Sequence, residues 1–127
     1  MRERVDQFFP TRGFGKLNLR IARQAIHDYQ KTTSDLAGTI DLMLTYVEQG
    51  TKFTNTYGDI EERFYDSLES VLSEMADQLT TAPGVALYPR FEKRINALAK
   101  DAHDLGWGYG DFVTDTITEL RAKVDQQ

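Results

Sequence analysis

Between Leu36 and Leu79 the apolar residues return every three or four positions with no stretch of strict alternation, and this period constrains the fold more than any other feature. Leu36, Ile40, Met43, Leu44 and Val47 lead on to Phe53 and Tyr57; Phe64, Tyr65, Leu68, Val71, Leu72, Met75 and Leu79 follow. A period near 3.6 gathers such residues on one face of a helix, whereas a half-buried strand needs a period of two. The spacing recurs on both sides: Leu17, Ile21, Ala25 and Tyr29, widened by Ala22 and Ile26; then Phe91, Ile95, Leu98, Ala99, Ala102 and Leu105; then Phe112, Val113, Ile117, Leu120 and Val124. The expectation is an all-α chain, a compact array of about five helices, arranged as an antiparallel bundle or a short α-α superhelical stack. At 127 residues, a single helical domain over 1–127 is long enough to bury a core without staples. Leu44, Val47, Leu68, Leu72, Ile95 and Leu98 are the residues expected to share that core.

The joints follow from cap chemistry. The TTSD cluster at residues 32–35 interrupts the first face, and Ser34 or Thr33 can cap the next helix, with Asp35 near its positive end. Gly50 falls inside the second helix, where it permits either close packing or a bend. In FTNTYGDIEERFYDS, residues 53–67, Gly58 suits a left-handed residue at a helix end, Asp59 an N-cap, and Glu62 the third position of a capping box. This acidic, hydroxyl-rich stretch therefore reads as a joint between helices before it reads as a site. TTAPGVALYP, residues 80–89, is the strongest loop signal: Pro83-Gly84 is expected to stop a helix and Pro89 to open the next. Gly106 is expected to end that helix, and GWGYGD, residues 106–111, to form the last joint, with Trp107 and Tyr109 held between glycines.

Composition excludes several classes. The chain has no cysteine, so disulfides, thiol catalysis and cysteine-built zinc sites are out. No apolar run reaches the roughly eighteen residues of a membrane span, and MRERVDQFFP lacks the apolar stretch of a signal peptide, so a cytoplasmic location without a membrane partner is expected. Charge is uneven: residues 1–31 balance at +4, residues 32–86 at −8 and residues 87–127 at −1, for a total of −5. A net acidic chain is a poor partner for nucleic acid, because phosphate neutralisation supplies most non-specific affinity. The basic first segment, Arg2 to Lys31, is the one place where nucleic acid could touch, and otherwise a helix whose bases face solvent or the acidic middle.

IDLMLTYVEQGTKFTNTYGDIEERFYDSLESVL, followed by GWGYGDFVTDTITEL, resembles an uncharacterised bacterial helical family, domain-of-unknown-function family 6155, and FPTRGFGKLNLRIARQAIHDYQK resembles that family's earlier segment. The resemblance covers nearly the whole chain and implies a helical fold. It implies no activity, substrate or catalytic residue. Members usually carry an additional N-terminal helical stretch rich in Lys, Glu and Tyr, whereas this chain starts just before the family's Phe-Pro junction, at Phe9-Pro10.

Candidate chemistry is sparse. His27-Asp28 and His103-Asp104 are two His-Asp doublets, and imidazole with carboxylate is a sensible ligand set for a hydrolytic metal. A metal-dependent phosphohydrolase built on them is thus one reading, against two surface histidines on polar helix faces; the spacing favours the second. Glu48, Asp59, Glu62, Asp66 and Glu69 either share an acidic groove or form a solvated face that pairs with Arg and Lys. Nothing in the sequence resembles a phosphate loop, a nucleophile elbow or a dinucleotide fingerprint, so no cofactor is expected. Phe53, Tyr57, Tyr65, Trp107 and Tyr109 crowd the two glycine-bearing joints. They either anchor a protein partner at an exposed surface or plug the ends of the core. The expected function is a non-catalytic helical protein-interaction module, capable of self-association; the alternative is the metal-dependent hydrolase.

Overall fold

The computed structural model of the protein describes residues 19–57, 62–104 and 108–126, with the side chains of residues 23–52, 65–104 and 108–126. Five helices account for nearly all of the described residues, and no strand occurs among them: α1 (Leu19–Thr33), α2 (Leu36–Tyr57), α3 (Glu62–Leu79), α4 (Ala82–His103) and α5 (Gly108–Asp125). The expected all-α fold is what the chain adopts.

The helices form a bundle, because contacts run well beyond sequence neighbours. α2, α3, α5 and α4 close a ring in that order, α3 and α4 also touch across it, and α1 lies outside against α2 and α3. A superhelical stack would confine contacts to successive helices. Leu44, Val47, Leu68, Leu72, Ile95 and Leu98 are all buried in one cluster with Met43, Met75, Val113, Ile117 and Leu120. Burying a residue such as Leu68 or Leu72 contributes on the order of 2 kcal/mol, so these faces are what hold the ring together.

α2 is the central element. Thr39, Ile40, Leu42 to Val47, Gly50 and Thr51 are all buried, on every side of the helix. A Cβ on Gly50 would overlap the Leu68 methyl groups of α3, so the glycine is there for close approach of two helices.

Two joints differ from the sequence expectation. Asp35, and neither Ser34 nor Thr33, caps α2: its Oδ1 accepts from the Gly38 N–H at 3.0 Å. Ser34 instead closes α1 in the left-handed region at φ 52°, its N–H donating to the Gln30 carbonyl at 2.9 Å. The Thr33 hydroxyl donates to the Tyr29 carbonyl at 2.7 Å and accepts from the Asp35 N–H at 3.2 Å, so Thr33 ties off the outgoing helix. The second difference is the expected loop over residues 80–89. The turn is only Thr80–Thr81; Thr81 is the N-cap of α4 and accepts from the Gly84 N–H at 3.1 Å. Pro83 sits in the first turn, where its missing N–H is harmless, and Pro89 lies inside the helix on its exposed side. A Cβ on Gly84 would run into the Gln78 carbonyl, so this glycine fits the start of α4 against the end of α3 rather than breaking either.

α5 also starts earlier than its apolar face suggests. Gly108, Tyr109 and Gly110 belong to the helix, and Tyr109 and Gly110 are buried. The expectations for Gly58, Asp59, Gly106 and Trp107, and for the side chain of Glu62, fall outside what the structure describes. No described helix is long and apolar enough to cross a membrane.

Candidate functional site

The two His-Asp doublets do not converge. His27 and Asp28 are exposed on α1; His103 ends α4 and Asp104 is its exposed C-cap. α1 and α4 make no contact with each other. His27 Nε2 lies 3.0 Å from Glu74 Oε2, and Asp28 accepts from Gln24 one turn earlier at 2.9 Å. Among the described residues no group of three or more His, Asp or Glu is placed to hold a metal.

The acidic groove dissolves in a similar way. Glu48 turns toward α4, while Asp66 is exposed and Glu69 half-buried on α3. Burial, with Asp66 as the nearby like charge, raises the Glu69 pKa. Asp59 and the Glu62 side chain lie outside the described residues.

Two of the five aromatic candidates are core residues. Tyr65 and Tyr109 are buried, their rings 5.3 Å apart between centroids and tilted by 44°. Of the two readings, exposed anchor and core plug, these two positions take the plug: α3 and α5 pack together there, with the tilted rings between them. The Tyr109 hydroxyl and Thr51 Oγ1 share a buried hydrogen bond at 2.7 Å, which links α5 to α2. Tyr46 and Ser67 make a comparable link at 2.5 Å between α2 and α3. Burial pushes both the Tyr109 and Tyr46 phenols up, so each stays neutral and bonded. The Phe53, Tyr57 and Trp107 side chains lie outside the described residues.

Two polar clusters join helices at the bundle surface. In the first, Arg94 of α4 is held by one face of α2. It donates to Asp41 Oδ1 at 2.5 Å, to Glu48 Oε1 at 2.5 Å and Oε2 at 3.3 Å, and to Thr45 Oγ1 at 3.2 Å. Burial works against the guanidinium charge, but the bonds it donates to Glu48 and Asp41 win and raise its pKa. Sequence reasoning missed Arg94. The available signal was Asp41, Thr45 and Glu48, polar residues at helical spacing on an otherwise apolar helix.

The second cluster is the seam between α1 and α3. Arg23 and His27 both face Glu74, at 3.9 and 3.0 Å. One turn on, the Gln30 and Gln78 amides exchange hydrogen bonds at 3.0 and 3.3 Å. On its other side α1 buries Ala25 and Ile26 and packs Tyr29 against the core. The seam is thus a shallow apolar strip bordered by a polar ladder. In this cluster the basic first segment does meet the acidic middle, through Arg23 and Glu74.

The seam is an amphipathic helix packed along a two-helix face of its own chain, with apolar contacts on one side and a polar ladder on the other. Comparison with protein-family models, with curated proteins and with solved structures found no match.

Proposed function

We propose that the protein is a non-catalytic helical protein-interaction module whose α2/α3 face receives an amphipathic, partly basic helix. The observation that carries this reading is the way α1 lies on that face, with Ala25 and Ile26 buried and Arg23, His27 and Gln30 engaged by Glu74 and Gln78. With α1 in place, a partner helix would either displace it or lie beside it along α3. Asp66, Ser70 and Asp77 extend the face as an exposed, acidic edge of α3. A partner helix carrying Lys or Arg would meet this edge favourably at ordinary salt and lose much of the attraction as salt rises.

The resemblance to domain-of-unknown-function family 6155 accords with this reading and supplies no competing activity. A cytoplasmic setting fits a chain with no cysteine to oxidise. A photoreactive residue in place of Ser70 tests the proposal. It should trap a protein whose yield falls with added salt and with Glu74→Lys. A crosslinking pattern indifferent to both would exclude this face.

A further inference from the structure

We propose that α1 exchanges between two copies of this chain, so that each copy's α2/α3 face is filled by the α1 of the other. The inference rests on the reading of that face as a helix-receiving surface and names its occupant as a second copy.

The hinge carries the argument. Only Ser34 and Asp35 separate α1 from α2. Ser34 holds φ 52°, a region that suits glycine and disfavours residues with a Cβ. The turn is kept by local bonds alone: the Gly38 N–H and the Tyr29 hydroxyl donate to the Asp35 carboxylate, and the Asp35 N–H donates to the Thr33 hydroxyl. If residues 34 and 35 become helical, α1 and α2 fuse into one helix over residues 19–57, about 58 Å long. α1 then points along the α2 axis, roughly 22 Å beyond its start, and cannot reach its own α3. Another copy's α2/α3 face, vacated by its own α1 in the same way, can accept it, with Arg23 and His27 again opposite Glu74 and Gln30 opposite Gln78. Short hinges held in a strained conformation favour this kind of exchange. The rest of the bundle can await its partner, because α2, α3, α4 and α5 pack on one another without α1.

The hinge and the seam can each be tested in the full chain. Sedimentation should show a dimer whose association constant increases in the order Ser34→Gly, wild type, Ser34→Ala. Each hinge should contribute roughly fivefold between glycine and alanine, hence about 25-fold for the two hinges of a dimer. Absence of a dimer in all three proteins, or one indifferent to residue 34, would overturn the proposal. Because the chain has no cysteine, single variants Gln30→Cys and Gln78→Cys can be refolded together and treated with a short bismaleimide. A Gln30→Cys chain joined to a Gln78→Cys chain is the expected product. Dimers that link Gln30→Cys only to itself would reject exchange of α1 while leaving a protein-binding module intact. Loss of salt-sensitive trapping at Ser70 would remove that broader reading as well.

Discussion

The Arg94 cluster and the α1–α3 seam are both ionic ties between helices, yet they hold with different strength. Arg94, Asp41 and Glu48 have side chains 27%, 30% and 30% exposed, and the guanidinium makes four hydrogen bonds in a fixed fork. Arg23, His27 and Glu74 are 35%, 44% and 37% exposed, and Glu74 meets its partners through single contacts. Water screens the second set more, and its long side chains give up more freedom for each bond. The lesson is that the same charges anchor one helix and merely guide another, according to burial and fork geometry.

The largest expected effect breaks the first tie. Arg94→Ala removes the fork that ties Asp41 and Glu48, two turns apart on one face of α2, to α4, and should cost about 2 kcal/mol, less than breaking a fully buried pair. Urea midpoints give the value; a loss below about 1 kcal/mol would make the two ties equivalent. Arg94→Lys keeps the charge but not the fork, and should fall between the two proteins.

Next comes the hinge of the loosely held helix. Ser34→Gly relieves the left-handed backbone and should stabilise the monomer by about 1 kcal/mol, read in the same urea titration. No gain would mean that the turn imposes no penalty on serine. Glu74→Gln should then cost at most about 0.5 kcal/mol, because an exposed pair contributes little. A cost approaching that of Arg94→Ala would place the seam and the clamp in one class.

The smallest effect is a slope in pH. The Tyr29 hydroxyl at 2.5 Å, and then the Gly38 N–H, hold the Asp35 pKa below its ordinary value. A depressed folded pKa stabilises above the unfolded value, near 3.9, and the contribution fades as pH falls through the folded one. Tyr29→Phe should therefore flatten the loss of stability below about pH 4, while leaving the clamp unaffected. An unchanged acid limb would dissociate Asp35 from Tyr29.

How much of this was legible in the sequence depends on how far the cause lies along the chain. The burial of Leu44, Leu68, Ile95 and their neighbours follows from the helical period alone. The caps were less legible, since Ser34, Thr33 and Asp35 are all good N-cap residues and only the left-handed Ser34 shows which one is used. Pro83-Gly84 misled because proline serves a first turn as readily as it ends a helix. The fit of Gly84 against Gln78 is a property of two helices together. The Arg94 partners lie 46 to 53 residues away, beyond any local pattern. Tyr65 and Tyr109 show that an aromatic near a glycine-rich joint does not announce its own exposure. The acid-rich α3 was visible as charge, while its role opposite Arg23 and His27 required the fold.

The two-residue turn at Thr80–Thr81 also bears on how the chain assembles. Closing a short loop sacrifices little chain entropy, so α3 and α4 can meet before any distant pairing is made. Their junction is already tight at Gly84, and the contacts nearest it are among the most local in the bundle. α2, by contrast, must find α4 across the whole of α3. If the α3–α4 hairpin forms early, Gly84→Ala should slow refolding more than it speeds unfolding in a stopped-flow chevron. An effect confined to the unfolding limb would put nucleation elsewhere.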